Sequence, residues 1–267
     1  MDTLQAASWA SVSTSGVQAS GVQAPGEQAF VPYGLSHGVV VVVFAVVAAA
    51  LVVIGRRQRG TAAQRRTSRV FAVIFALFMV PLQLFYLSPE QWGIGHSLPL
   101  QLCDLAAFAA IWALWSHSAT AFVLAYFWGL TLTAQGFVSP ELNGPDFPAV
   151  EFIMFFGLHC LVVWAAIYLT WGVGLRPDWR GYRVAVLATI TWGVVMFAFN
   201  SAVGTNYGFL NAKPQAASLL DALGPWPWYL LSELLLGALI WALITLPWTR
   251  HPTPAPHTPA PHPHSAG

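Results

Sequence analysis

Seven predominantly apolar stretches, each close to the length of a membrane-spanning helix, constrain the fold of this chain more than any other feature. They lie near 35–55, 69–87, 98–115, 118–138, 149–171, 182–203 and 226–248. A helix needs roughly 20 apolar residues to cross a bilayer. Without water in the hydrocarbon core, only helices and closed barrels satisfy every backbone polar group. Because these runs are continuous rather than alternating, the sequence predicts an all-α, polytopic membrane helix bundle with about seven transmembrane helices.

The composition supports a membrane protein. Charged residues make up 8% of the chain and hydrophobic residues 57%, whereas soluble domains carry about 25% charged residues. The net charge of +1 indicates no nucleic-acid partner. The two cysteines, Cys103 and Cys160, lie in apolar runs and imply no disulfide framework. No basic region followed by an apolar core stands at the N-terminus, so no cleavable signal peptide is expected.

Two low-complexity ends flank the apolar region. Residues 1–31 are rich in Ser, Ala, Gly and Gln, and residues 250–267 are rich in Pro and His. Neither segment has the apolar residues that a core requires. We therefore expect two disordered ends around a single transmembrane domain at 32–249. No conserved metal site is expected in the His-rich tail, and no cofactor is predicted.

The basic residues predict the orientation of the bundle. With seven spans, only Lys213 falls on one side, and the acidic loop residues Glu90, Glu141, Asp146 and Asp221 accompany it. All ten arginines fall on the opposite side: Arg56, Arg57, Arg59, Arg65, Arg66, Arg69, Arg176, Arg180, Arg183 and Arg250. Cytoplasmic loops are enriched in Lys and Arg. The sequence thus predicts a multi-pass protein of the cell membrane, with its N-terminus outside and its C-terminus in the cytoplasm.

Polar residues in and beside the spans concentrate toward the predicted outer surface. They are Gln101, Cys103, Asp104, Gln135, Glu151, His159, Asn200, Asn206, Tyr207 and Glu233. Ionisable residues at membrane depth cost at least a few kcal/mol each and are candidates for function. Their convergence from several helices predicts a polar cavity that opens outward or to the outer leaflet.

Each of these residues also has a purely structural interpretation. A lone Cys in a helix is most often a packing residue, and Cys160 fits that description because it lies about 100° around the helix from His159. Asp104 and Glu151 are placed to stabilise helix N-termini. The amides and Glu233 are suited to hydrogen bonds between helices. The functional interpretation depends on the cluster rather than on any single member.

A thiol near an imidazole is the smallest set of side chains that can catalyse acyl transfer through a Cys nucleophile. The His activates the Cys, the sulfur attacks an ester, and the imidazolium protonates the leaving group. Asp104 or Glu151 beside the His would fix its tautomer. Counted along the predicted spans, Cys103 lies about 8 Å deep and His159 about 15 Å deep. Contact between them therefore requires tilted helices or a span boundary shifted by a turn.

Four segments carry a resemblance to a known family. They are LPLQLCDLAAF (98–108), FWGLTLTAQGFVSPEL (127–142), FGLHCLVVWAAIYL (156–169) and NSAVGTNYGFLNAKPQAASLLDALGPWPWYLL (200–231). The chain resembles the bacterial YwaF-like membrane proteins, which are related to the eukaryotic transmembrane protein 164 acyltransferases, over roughly 70–248. The resemblance implies cysteine-dependent acyl transfer between phospholipids, with the nucleophile at Cys103 and the base at His159. Bacterial relatives often have His where this chain has Gln101.

We therefore expect a membrane-embedded transacylase that moves acyl chains between phospholipid and lysophospholipid, with membrane lipids as its partners. The other polar residues of the cluster would bind the substrate or support the two catalytic residues. One alternative is a small-molecule or ion transporter that uses the same outer cavity, although no repeat relates the two halves of the chain. A second alternative, which Gln101 favours, is a non-catalytic lipid-binding protein.

Overall fold

A computed structural model describes residues 28–140, 142, 144–214 and 219–249. Seven helices dominate this part of the chain: α1 Leu35–Arg57, α2 Ala62–Tyr86, α3 Leu102–Ser116, α4 Ala119–Val138, α5 Val150–Val173, α6 Trp179–Val203 and α7 Trp228–Thr249. Two 3₁₀ turns, Tyr207–Phe209 and Leu219–Leu223, lie between α6 and α7. Within the described ranges, the extended pairing is limited to one bridge between Ala29 and Pro145.

The predicted seven-helix membrane bundle is confirmed. Six of the helices have 20–25 residues and are apolar enough to cross a bilayer, and α3 is a shorter apolar helix of 15 residues. Helix α3 begins at Leu102, whereas the predicted span began at 98. The reason is a capping box, in which Asp104 Oδ2 accepts a hydrogen bond from the Gln101 backbone N–H at 3.0 Å and ends the extended segment there.

Helix α3 lies at the centre of the bundle and packs against α2, α4 and α5. Its inward face consists of small residues that are fully buried: Ala106, Ala107, Ala110 and Ala113. Small side chains let helix backbones approach closely, which favours packing where the surrounding lipid is as apolar as the protein.

A π-helical turn, Trp128–Thr133, interrupts the middle of α4. Two indole hydrogen bonds connect it to the helices on either side. Trp128 donates to Thr189 Oγ1 of α6 at 2.8 Å, and Trp241 of α7 donates to Thr131 Oγ1 at 2.9 Å. Such turns often occur at functional sites, and these bonds connect this one to both neighbouring helices.

Helices α1 and α5 cross in direct backbone contact at two glycines. A β-carbon on Gly55 would lie 2.6 Å from the Gly172 Cα, so no side chain fits there. Arg59 Nε donates to the Gly172 carbonyl at 2.7 Å, and Arg59 Nη2 donates to the Trp171 carbonyl at 2.7 Å. These bonds satisfy carbonyls at the end of α5 that have no partner within the helix.

The folded region begins before residue 32. The Phe30 backbone N–H donates to the Gly144 carbonyl at 2.9 Å, and the Phe30 side chain is buried against Phe152 and Phe156 of α5. Most of the two predicted disordered ends, namely residues 1–27 and 250–267, lies outside the described residues. Glu141 also lies outside them. The predictions that concern these parts of the chain remain predictions.

Candidate functional site

A cavity of about 990 Å³ lies among helices α2 to α7, with residues 96–98 and 208–210 at one end. Its volume falls at the upper end of the range of about 300–1,000 Å³ that is typical of ligand pockets. Seven of the predicted site residues line it: Gln101, Cys103, Asp104, Gln135, Glu151, His159 and Glu233. The structure therefore brings together the residues that the sequence placed near one surface of the membrane.

The cavity is polar at one end and apolar at the other. Most of the polar residues lie where α3, α5 and α7 begin and where α4 ends, and His159 lies two and a half turns into α5. The deep lining includes Met79, Leu132, Leu158, Val186 and Trp241. Trp241 is thirteen residues into α7, which places it about 20 Å from the start of that helix. One leaflet of a bilayer contributes about 15 Å of hydrocarbon. The cavity is therefore deep enough for the chain of a membrane lipid.

His159 has a defined tautomer and orientation. Its Nδ1 lies 2.7 Å from the Phe155 carbonyl oxygen. A carbonyl oxygen accepts hydrogen bonds but cannot donate them, so Nδ1 carries the proton. The neutral imidazole then has a free lone pair on Nε2. An imidazole in this state can accept a proton from a neighbouring acid.

The imidazole packs on the backbone of Gly136 in α4, where a β-carbon would lie 2.8 Å from Nε2. Gly136 lies two residues before the end of α4, whereas His159 lies nine residues after the start of α5. Helix α5 therefore extends about 10 Å beyond the end of α4. The predicted depth of about 15 Å was counted from the start of the span that carries His159; measured from the end of α4, His159 lies only about 3 Å in.

This register brings His159 close to the level of Cys103. Helices α3 and α4 are joined by a short turn between Ser116 and Ala119. Measured from this turn along each helix axis, Cys103 lies at about 20 Å and Gly136 at about 25 Å. The thiol and the imidazole are thus within about one helical turn of the same level on the walls of one cavity.

The two cysteines occupy different environments. Cys103 lies in the first turn of α3, is partly exposed, and lines the cavity. Cys160 is 7% exposed and is packed inside the protein. The burial of Cys160 agrees with its predicted packing role, whereas the role of Cys103 as a nucleophile stays a prediction.

Gln101 and Asp104 hold the entrance of the cavity in place. They form the capping box of α3, and Gln101 Oε1 also accepts a hydrogen bond from the Gly208 backbone N–H at 2.9 Å. Gln135, Glu151 and Glu233 differ from them. Within the described part of the chain, these three side chains line the cavity without a hydrogen-bond partner, and so they are available to a ligand.

The remaining three predicted residues, Asn200, Asn206 and Tyr207, lie behind the cavity wall. Asn200 is 1% exposed. Its Nδ2 donates to the Tyr207 carbonyl, and its Oδ1 accepts from the Tyr207 N–H, both at 2.9 Å. The Tyr207 hydroxyl donates to the Ile94 carbonyl at 2.7 Å, and Asn206 Oδ1 accepts from the Asn211 N–H at 3.0 Å. These residues fix the loops beside the polar end.

Sequence reasoning missed several polar residues of the lining: Gln83, Tyr86, His96 and Trp192. Gln83 Nε2 donates to the Ser97 carbonyl at 2.7 Å, which ties α2 to the loop before α3. Gln83 and Tyr86 are three residues apart at the predicted outer end of the second span, and that spacing places them on one helix face. Cys103 was identified as a polar residue in the outer part of a predicted span, and the same criterion would have identified Gln83 and Tyr86.

Comparison with known proteins identifies the family of the chain. No curated protein and no solved structure gave a match. The sequence profile of the TMEM164 family matches residues 32–245, a range that includes α1 to α6 entirely and α7 as far as Thr245. The chain is therefore a multi-pass membrane protein of the TMEM164 family.

Proposed function

We propose that the protein is a cysteine-dependent acyltransferase of the cell membrane, which moves fatty acyl chains from phospholipids to lysophospholipids. Cys103 is the nucleophile and His159 is the base. One observation carries the proposal: a partly exposed thiol and an imidazole with a free Nε2 line the same cavity, whose deep half is apolar. Such a cavity suits an ester at its polar end with the acyl chain below it.

In the first half-reaction, Nε2 of His159 accepts the proton of the Cys103 thiol as the sulfur bonds to the ester carbonyl carbon of a phospholipid. The bond between that carbon and the glycerol oxygen breaks. The proton passes from Nε2 to this oxygen, which leaves as the hydroxyl of a lysophospholipid. The Phe155 carbonyl, which accepts from Nδ1–H, stabilises the imidazolium that forms between these steps.

In the second half-reaction, the hydroxyl of an acceptor lysophospholipid gives its proton to Nε2, and its oxygen attacks the thioester carbonyl. The carbon–sulfur bond breaks, and the sulfur regains the proton from His159. Both half-reactions develop negative charge on a carbonyl oxygen. Cys103 lies in the first turn of α3, where the capping box leaves the backbone N–H groups of Leu102 and Cys103 without a partner within the helix. These N–H groups can stabilise that charge.

The deep lining of the cavity favours this function over transport. Leu132, Leu158, Val186 and Trp241 form an apolar floor on four different helices. A hydrocarbon chain is stabilised by such a surface, whereas a polar solute loses its hydration there without gaining hydrogen bonds. At the other end, the carboxylates of Glu151 and Glu233 would accept hydrogen bonds from hydroxyl groups of the lipid.

The two cysteines supply a matched test. Purified protein in liposomes with a labelled phospholipid and an unlabelled lysophospholipid is expected to exchange acyl chains. Cys103→Ser and Cys103→Ala should abolish the exchange, whereas Cys160→Ser should retain most of it. A Cys103→Ala protein as active as the wild type would refute the proposal. If wild-type protein binds the lysophospholipid without exchange, the non-catalytic lipid-binding alternative is correct.

A further inference from the structure

Most helix glycines of this protein are explained by close packing, but two in the cavity wall are not. A β-carbon added to Gly129, Gly157 or Gly181 would meet side-chain atoms of a neighbouring helix. At Gly193 of α6 and Gly237 of α7, it would meet nothing within 4 Å. Glycine weakens a helix relative to alanine, and helix packing gives no reason for it at these two positions.

Both glycines line the cavity. Gly193 lies ten residues before the end of α6, and Gly237 lies nine residues after the start of α7. These two helix ends are joined by the loop at the polar end of the cavity, so both glycines lie about 14–15 Å from that end. Helices α6 and α7 also pack against each other. The missing side chains therefore widen the cavity at one level, one turn below Glu233.

Trp241 closes the cavity one turn further down. It is 3% exposed, its indole N–H donates to Thr131 Oγ1 at 2.9 Å, and its ring packs against Phe127 with the centroids 5.3 Å apart. These contacts hold the indole in one orientation. It therefore forms a rigid floor beneath the space that the two glycines leave open.

We propose that the deep half of the cavity is an acyl-chain channel, in which Gly193 and Gly237 set the width and Trp241 sets the maximum length of the fatty acyl chain. The proposal rests on the proposed function and adds the residues that determine chain specificity. A large side chain at either glycine would fill the channel one turn below Glu233. A smaller residue at position 241 would lengthen the channel.

The test measures the chain-length preference of the full-length protein in liposomes, with equal amounts of octanoyl, palmitoyl and longer donor phospholipids. Gly193→Leu and Gly237→Leu are expected to lower the ratio of palmitoyl to octanoyl transfer by at least roughly tenfold, since even a single methylene alters selectivity in apolar pockets by this order. Trp241→Ala should shift the preference toward chains longer than palmitoyl. Gly193→Ala and Gly237→Ala, which favour the helix, should lower the same ratio of palmitoyl to octanoyl transfer by a smaller factor.

Gly38 of α1 provides the matched control. A β-carbon there also meets nothing within 4 Å, but Gly38 does not line the cavity. Gly38→Leu should therefore leave the chain-length preference unchanged. If exchange persists in all variants with the wild-type preference, the channel is refuted and the proposed function stands.

A binding measurement separates the channel from the chemistry. In Cys103→Ala protein, palmitoyl lysophospholipid is expected to raise the unfolding temperature more than octanoyl lysophospholipid, and Gly237→Leu should remove this difference. That result supports the channel even if wild-type protein shows no exchange and the proposed function fails. Equal stabilisation by both lipids, with and without Gly237→Leu, would overturn the channel.

Discussion

His159 packs its imidazole on the backbone of Gly136, and this contact sets the register between α5 and α4. Because Gly136 is near the end of its helix and His159 is two and a half turns into its own, α5 extends past α4 at the polar end of the cavity. The Phe156 ring of α5 and the Phe137 ring of α4 lie 6.4 Å apart beside this contact. The candidate base thus lies close to the level of Cys103.

The first prediction concerns this contact. In Gly136→Ala, the new methyl group would overlap the imidazole, so His159 must move away from its present position. A displacement of about 1 Å at a reacting group can cost about 100-fold in rate. We expect acyl exchange in liposomes to fall by this order while expression and helix content stay unchanged. Gly38→Ala is the control, and wild-type exchange by Gly136→Ala would show that the contact does not position the base.

The helices could be predicted from the sequence, but their register could not. Hydropathy identifies the spans to within about four residues because the bilayer requires a minimum length of apolar chain. The exception is the start of α2, which begins at Ala62 rather than 69 because its arginine-rich first turns are helical but not apolar. It does not fix how far one helix slides along another, since lipid solvates all apolar faces alike. The α4–α5 register depends on Gly136, which has no side chain and carries no hydropathy signal.

The candidate site was predicted by depth, which groups residues at one level but does not say which way each helix face points. Cys103 and Asn200 met the same criterion, yet one lines the cavity and the other holds a loop behind it. The resemblance separated these two residues because it assigned a role to Cys103 and none to Asn200. Gln101 is a mixed case, since it lines the cavity and also binds the Gly208 backbone.

The second prediction is that Asn200 is a structural residue. Asn200→Ala would leave the buried N–H and carbonyl groups of Tyr207 without their partner. Unsatisfied buried groups cost about 1–3 kcal/mol each, so we expect a loss of about 3 kcal/mol in the free energy of unfolding, measured in detergent. Ser201→Ala, at the adjacent exposed position, should change it by less than about 0.5 kcal/mol. Equal effects of the two substitutions would refute this role.

The third prediction concerns the hydrogen bond from the Gly208 N–H to Gln101 Oε1. Gln101→Leu removes the acceptor, whereas Gln101→Glu keeps an oxygen in place. One hydrogen bond contributes about 1 kcal/mol, so the Gly208 amide should exchange with deuterium up to roughly tenfold faster in Gln101→Leu. Gln101→Glu should remain near the wild-type rate. Unchanged exchange in Gln101→Leu would mean that other contacts hold this loop.

The fourth prediction is the orientation of the bundle in the membrane, which follows from the positions of the basic residues. Residues 139–148 and 204–225 should lie outside the cell, and residues 56–69 and 172–181 inside. In intact cells, an impermeant maleimide is expected to label Ala212→Cys but not Ala62→Cys, and Ala62→Cys should react after lysis. The reverse pattern would invert the bundle and place the polar end of the cavity at the cytoplasmic surface.

The last prediction concerns the acyl donor and depends on both the proposed function and the orientation. Among the described residues that line the cavity, none is Lys or Arg, and three are the carboxylates Asp104, Glu151 and Glu233. The head group of acyl-CoA carries several phosphates, which proteins bind with basic side chains and helix N-termini. Three helix N-termini reach this end of the cavity, but the described lining offers several phosphates no basic side chain and sets three carboxylates beside them. Outer-leaflet phospholipids, in contrast, have their ester carbonyls near this level.

We therefore expect direct transfer between lipids. Purified protein in liposomes that contain a labelled diacyl phospholipid and a lysophospholipid should exchange acyl chains at full rate without CoA. Adding acyl-CoA should not increase the rate, and Cys103→Ala should abolish the exchange in both conditions. The measurement is the appearance of label in the acceptor lipid, separated by mass. Exchange that requires acyl-CoA, supplied from the cytoplasmic face, would show that the donor and the side of the membrane are both assigned wrongly.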